Sequence, residues 1–426
     1  MATPCVCETG KIKMGEAHAR VQGQREAQVP NILILGTAEW NSPIATNQHY
    51  VTRELAAMGD VTFVESLGLR RPTLRRADVV RMASRLRRSV GTGRTSSAAV
   101  SERPKPERSR VVSPLVIPLH RYPTRALNTA LLRRSTTQWI ESTRPRVLWT
   151  FTPVTYGLEA AADATIYHCV DLLASFPGVD KVAVERGEKS LSLRADLAIA
   201  TSNAVARHLS TLGYPNIQML HNVADAAVFS AQSKPAAERH PHVLFSGNLT
   251  LHKLDLEVLR SVAMSLQGKG RLLLAGPLSA GGGDFTAALR ELEQLGARYL
   301  GVLSHEELAK VAGTCSAGII PYSLNEYTSG VSPLKCFEYL ASGLTVVSTH
   351  VPAVDELATT NPYIRVASTS EFAKVLAEVL RIPPTTHDIA DRMELASANG
   401  WEGRGQVLRE ILSKTMAGAL GSMGAP

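Results

Sequence analysis

The stretch Ser329–Ser348, SGVSPLKCFEYLASGLTVVS, constrains the fold more than any other part of the chain. It places a helix, a stop and a buried strand in immediate succession. Ser332-Pro333 reads as the helix start, since serine caps and proline suits the first helical position. The helix runs through Lys335, Cys336, Phe337, Glu338, Tyr339, Leu340 and Ala341, and Gly343 stops it. Leu344-Thr345-Val346-Val347 follows as an apolar, β-branched strand. Lys335 and Glu338 stand three apart and share one helix face. A lysine beside free N–H groups favours an anion. A carboxylate one turn further in can accept two hydrogen bonds from a vicinal diol such as a ribose. Together these groups suit a nucleotide. The plainer alternative is an ordinary helix with a surface Lys–Glu pair.

The same grammar recurs along the chain. Asn31–Gly36 is a buried strand, a helix carries Gln48, His49, Val51, Leu55 and Ala56, and Val61–Glu65 is a second strand. Strand, helix, strand opens a doubly wound α/β domain. The loop after the first strand, Thr37–Pro43, is not G-x-G-x-x-G, which disfavours a dinucleotide site there. Ala164–Asp171 is a buried strand ending in polar groups. Ligands bind beyond the carboxyl ends of such strands, so His168 and Asp171 are well placed for a site. For His168 alone, a satisfied core histidine is the competing reading. A second set of strands begins at His242–Phe245. There Gly247, at a strand end, lets a ligand approach the backbone closely.

With 426 residues there is room for two domains of about 200 each. The net charge of +8 is local. Residues 70–110 hold 13 Arg and Lys against 3 Asp and Glu, which leaves the remainder about neutral. This local charge disfavours a general nucleic-acid binder. Within that stretch, residues 77–90 have the spacing of a short basic amphipathic helix, suited to an anionic membrane surface. The stretch reads either as a solvated insertion or as a clamp for a lipid-linked or otherwise anionic acceptor. Cys169, Cys315 and Cys336 sit in apolar contexts and read as small core residues. Cys5 and Cys7 lack partners for a zinc site. This usage fits a reducing, cytoplasmic setting, peripheral to a membrane if the basic stretch binds one. No apolar run is long enough to span a bilayer, and the N-terminus lacks the apolar core of a secretory signal. Residues 1–28 read as a disordered leader, 29–230 and 242–400 as the two domains, 231–241 as their linker, and 401–426 as a final helix and tail.

The wording of the organising stretch resembles the nucleotide-sugar site of retaining, type-4 glycosyltransferases with the two-Rossmann (GT-B) fold. The nearest flavour is that of the teichuronic-acid-biosynthesis glycosyltransferases, with "P-L-K-x-F-E-Y-L-A". Further matches are "Y-x-C-x-D" at Tyr167–Asp171, "A-D-x-x-I-A-x-S" at Ala195–Ser202, His221–Phe229 against "N-G-V-D-x-x-x-F", and the "G-x-L-x-x-x-E-L" of residues 301–308. The resemblance covers residues 31–412 and is weakest across 70–145. It implies two Rossmann-like parallel-sheet domains facing across a cleft, the first taking the acceptor and the second a nucleotide-diphosphate-sugar.

On that resemblance, Lys253 and Lys335 hold the diphosphate, and Glu338 the ribose. Gly247, Asn248, Gly330, Val331 and Ser332 line the donor site. Asp171 or His168 positions the acceptor hydroxyl or the sugar, with Asp171 favoured, and Trp40 and Asn41 face the acceptor. Two departures stand out. The family often has a second glutamate eight residues before Glu338, where this chain has Gly330. A second basic residue is usual where Asn248 stands. The work of the missing glutamate then falls to Glu326 or to the backbone N–H groups of Gly330, Val331 and Ser332. No D-x-D run stands at a strand end, so neither metal nor cofactor is expected beyond the donor itself. The partners implied are a nucleotide-sugar and a sugar, lipid-linked or small-molecule acceptor. Competing readings are a nucleotide-sugar 2-epimerase of the same fold and a catalytically inactive GT-B binding module.

Overall fold

The computed structural model describes residues 29–42, 45–69, 103–117, 120, 123–278 and 283–422. The leader, the amphipathic segment at 77–90 and most of the basic stretch lie outside the described residues.

Thirteen strands among the described residues form two sheets. In the first, β1 (Asn31–Leu35), β2 (Asp60–Val64), β3 (Ser109–Val112), β4 (Arg146–Thr150), β5 (Ala164–Cys169), β6 (Leu197–Ala200) and β7 (Ile217–Met219) lie in the order β3-β2-β1-β4-β5-β6-β7. In the second, β8 (Val243–Ser246), β9 (Leu272–Ala275), β10 (Arg298–Tyr299), β11 (Ala317–Ile320), β12 (Thr345–Ser348) and β13 (Ile364–Val366) lie in the order β10-β9-β8-β11-β12-β13. Neighbouring strands run parallel throughout. Both orders reverse direction beside their first strand, between β1 and β4 and between β8 and β11. These are the topological switch points, where a doubly wound sheet opens a crevice beyond its strand ends.

Parallel strands covered on both faces must be apolar on both. β8 (VLFS), β9 (LLLA) and β11 (AGII) are buried at every position. Gly318 in β11 leaves room for a ring: a Cβ there would lie 2.3 Å from Tyr339. The Tyr339 hydroxyl in turn accepts from the Ser246 N–H at 2.9 Å. The Lys335–Ala341 helix is thereby pinned beneath the end of β8. Gly343, at φ +75°, ends that helix. Cys169, Cys315 and Cys336 are free and buried. Burial pushes the Cys315 and Cys336 thiols up to about 12, so both behave as small apolar side chains.

The last helix, Trp401–Ser422, returns to the first domain. Trp401, Leu408, Ile411 and Leu412 share a core cluster with Ile32, Ile34, Val51 and Leu55. Arg409 donates to Glu54 at 2.8 Å, and Trp401 stacks on Tyr50 with ring centres 4.7 Å apart.

Behind β5 the first domain buries a carboxylate. Glu188 is 1% exposed. It accepts from the Tyr167 hydroxyl at 3.1 Å and lies 2.9 Å from His208 Nε2, while its backbone carbonyl accepts from Tyr214. The Glu188 hydrogen bond raises the His208 pKa above its ordinary value. A raised histidine pKa contributes stability that is fully present below the ordinary value and is lost as pH rises through the folded one. Thermal melts between about pH 6 and about pH 9 should therefore show the wild type losing stability relative to His208→Gln. Parallel curves would show that the pair is not charged.

Candidate functional site

The site forms where the two loops at the second sheet's switch point meet. The loop after β8 begins with Gly247, at φ +150°, a backbone region open chiefly to glycine. Lys253 follows, and its Nζ sits 4.4 Å above the Tyr322 ring centre. The loop after β11 is joined to it. Ser323 N–H donates to the Lys253 carbonyl, Asp255 N–H to the Pro321 carbonyl, and Asn325 Nδ2 to the His252 carbonyl at 2.7 Å. Lys253 is thus held against the segment that leads into the Lys335–Ala341 helix.

Glu338 is 1% exposed. Its Oε2 accepts from Lys335 Nζ at 2.7 Å, and its Oε1 lies 3.9 Å from His305 Nε2. His305 stands edge-on to Phe229, and burial holds its pKa below the ordinary value against the pull of Glu338. At neutral pH it is therefore a neutral imidazole beside the carboxylate. Asp225 and Tyr50 lie in the same electrostatic neighbourhood. A buried carboxylate with one cation costs several kcal/mol to desolvate and is a weak source of stability. Removing Lys335 strands that charge, whereas removing Glu338 leaves only a lysine nearer the solvent. Lys335→Ala is expected to destabilise the fold by about 3 kcal/mol and Glu338→Ala by clearly less, as read from denaturant midpoints. The reverse order would make Glu338 a structural residue.

Opposite these groups is the carboxyl end of β5. Asp171 follows that strand. Burial raises its pKa, and the charge of Lys253 pulls it back down, so the two groups feel each other across the cleft. His168 goes elsewhere. Side chains alternate along a strand, and Ala164, Ile166 and His168 face the C-terminal helix. The His168 ring is 3% exposed and stacks on Phe151. Of the two residues, Asp171 is the one brought toward Lys253 and the loops after β8 and β11.

Several expectations need correction. Ser332 does not cap the helix. Leu334 holds the N-cap position, the helix begins at Lys335, and the Ser332 carbonyl instead accepts from Asn222 Nδ2 at 2.9 Å. The Val331 N–H is not free for a ligand, because it donates to the Thr328 carbonyl. Trp40 is a core residue rather than an open acceptor contact. It is 2% exposed, packs on His49 and Phe63, and donates its indole N–H to the Arg103 carbonyl. Asn41 is exposed, and its side-chain oxygen accepts from the Arg103 N–H. Asn248 Oδ1 is buried without a hydrogen-bond partner among the described residues. His305, Asn222 and Leu172 carried no signal in isolation. Asn222 was legible only as part of its turn motif.

Gly330, where the family often has an acid, is occupied from across the cleft. A Cβ at Gly330 would lie 2.7 Å from Leu172 Cγ, and the Gly330 carbonyl accepts from Ser202 Oγ at 2.8 Å. Overpacking of this kind costs roughly 1 kcal/mol or more. Gly330→Ala is expected to lower the melting temperature, and adding Leu172→Ala to restore it. Additive losses in the double variant would mean that the two positions do not meet.

Residues 240–381 match the family model described as "Glycosyl transferases group 1". The chain is 27% identical over 221 residues to a putative teichuronic acid biosynthesis glycosyltransferase, TuaH, of Bacillus subtilis (strain 168). That match spans 47% of this chain and 54% of the relative, about half the length of each. Among solved structures, sucrose-phosphate synthase from Thermosynechococcus elongatus superposes with a TM-score of 0.64 at 16% identity, covering 91% of this chain and 100% of its own. Anabaena HepE in complex with UDP and glucose gives 0.61 at 13%, covering 90% and 99%. The sheet orders and these superpositions establish the GT-B architecture, and residues 240–381 form a glycosyl transferase group 1 domain within it.

Proposed function

We propose that the chain transfers a sugar from a nucleotide-diphosphate-sugar to an acceptor hydroxyl, with retention and without a metal or other cofactor. The observation that carries this reading is the buried Glu338, bonded to Lys335 at a sheet switch point that also holds Lys253. One Glu338 oxygen is fixed by the lysine, and the carboxylate is set to receive a ribose diol. Lys335 and Lys253 neutralise the charge that develops on the departing diphosphate, the kind of electrostatic help that dominates group transfer. Asp171, reaching from the first domain, orients the acceptor hydroxyl or the donor sugar. The departing phosphate oxygen can itself take the acceptor's proton, so the site requires no separate general base. Support for a nucleotide-sugar comes from the match over 240–381 and from the UDP and glucose named for the HepE complex. The teichuronic acid relative supports a bacterial polysaccharide or glycoconjugate setting, with natural-product decoration as the other. The acceptor is then a sugar, a lipid-linked saccharide or a small molecule.

The first experiment is a thermal-shift panel of nucleoside diphosphates and nucleotide-sugars on wild type and Glu338→Ala, without metal and then with it. A nucleotide that raises the melting temperature only in the wild type supports the site and names the base. No shift with any nucleotide in either condition would sink the donor assignment. With that donor in hand, Lys253→Ala is expected to lower turnover about a hundredfold. An effect under about threefold would remove Lys253 from the reaction.

One observation favours a second reading. With Leu172 filling the space at Gly330, the chain could bind a donor without turning it over. Release of nucleoside diphosphate on incubation with the donor and an acceptor panel separates an enzyme from an inactive binding module.

A further inference from the structure

A second polar site lies under the C-terminal helix, outside the donor loops. A small cavity is lined by Asn47 and Val51 of the first helix, by His168, by Leu220, His221 and Val223, and by Trp401, Arg404 and Leu408 of the last helix. Its space is about 210 Å³ counted out to its open mouth. The enclosed part takes one small group rather than a sugar ring.

Its polar groups are unusual. His168 is 3% exposed, and neither ring nitrogen has a hydrogen-bond partner among the described residues. Trp401 is 6% exposed, and its indole N–H likewise has none. Arg404 is half-buried and makes no hydrogen bond or ion pair among the described residues. A buried N–H without an acceptor is costly, and a half-buried guanidinium without a counter-charge adds to that cost. Three such groups around one cavity leave the cost unexplained unless something supplies the acceptor. The set is donor-rich: five N–H on arginine, one on indole, and one on a neutral imidazole. No carboxylate lines the cavity.

We propose that this cavity is an oxyanion site, taking one oxygen of a phosphate or carboxylate group against Arg404, Trp401 Nε1–H and His168. Its wall is linked by hydrogen bonds to the second domain. Asn47, in its wall, donates to Asn222, which donates to the Ser332 carbonyl ahead of the Lys335–Ala341 helix. An anion seated here would tie the C-terminal helix to β5 and to that seam. The inference does not rest on the donor assignment, since no residue of the Glu338 cluster lines the cavity.

The test is a thermal shift of the full chain with sodium phosphate and sodium acetate, each against sodium chloride at matched ionic strength. Wild type should rise by about 2 °C over the chloride control with at least one of the two. Arg404→Gln should lose that increment, while Lys335→Gln keeps it and so separates the cavity from the donor lysines. A single cooperative melting transition in Arg404→Gln, at a midpoint near that of the wild type in chloride, would show that the variant is folded. Should Arg404→Gln fail to fold, the wild type supplies its own readout in the His168 ring resonances, assigned with His168→Gln, which must move with phosphate or acetate and not with chloride. Three results would overturn the proposal: equal shifts in chloride, a shift that survives in folded Arg404→Gln, or ring resonances indifferent to both anions.

Discussion

Asn222 holds the geometry on which the rest depends. Its side chain accepts from Asn47 on the first helix and donates to the Ser332 carbonyl ahead of the Lys335–Ala341 helix. One buried amide therefore joins the first domain, the chain leaving that domain, and the segment leading into the Lys335–Ala341 helix. Ser202 adds a parallel tie, because its hydroxyl both caps the helix that follows β6 and donates to the Gly330 carbonyl. These are directional bonds between buried groups, and misaligning them would leave carbonyls and amides unpaired. They fix how closely the ends of β5 and β11 approach, and so bring Asp171 and Lys253 into each other's field.

Charge is distributed across this seam with a consistent logic. The second domain supplies Lys253 and Lys335, and its one buried carboxylate in the site, Glu338, is answered by Lys335. The first domain supplies Asp171, whose ionisation burial opposes and Lys253 assists. The group-transfer chemistry proposed here needs positive charge at the departing diphosphate and a polar group toward the acceptor. The two domains carry those halves separately, and the bonds across the seam bring them together.

Much of the architecture was readable from the chain. Apolar β-branched runs without alternation mark strands buried on both faces, and the helix-stop-strand grammar around Gly343 marks a doubly wound sheet. Ser304 and Glu307, at the Ser-x-x-Glu spacing that marks a helix start, form a reciprocal capping box. The Lys335–Glu338 pair was legible because three-residue spacing on a helix leaves little freedom in where two side chains go. Ser332, Val331 and Trp40 misled for a common reason. Each has a local propensity that suits one role and is engaged in another, Ser332 and Trp40 by the distant Asn222 and by Arg103 with the Phe63 ring, Val331 by the turn carbonyl of Thr328. Gly330 read as a missing acid, and only the approach of Leu172 shows that its space is filled.

The sequence by itself determined the element order, the two-sheet α/β class, and the placement of Lys253, Lys335 and Glu338 at strand ends and on one helix face. Periodicity and helix spacing are local, so they survive without a fold. The tertiary structure decided which face of β5 meets the cleft, and hence that Asp171 turns toward Lys253 while His168 turns under the last helix beside Trp401 and Arg404. No sequence pattern carries that information. It depends on the packing of residues 401–422 against a strand more than two hundred positions earlier, and contact at that separation is set by burial of a shared core rather than by any neighbour in the chain.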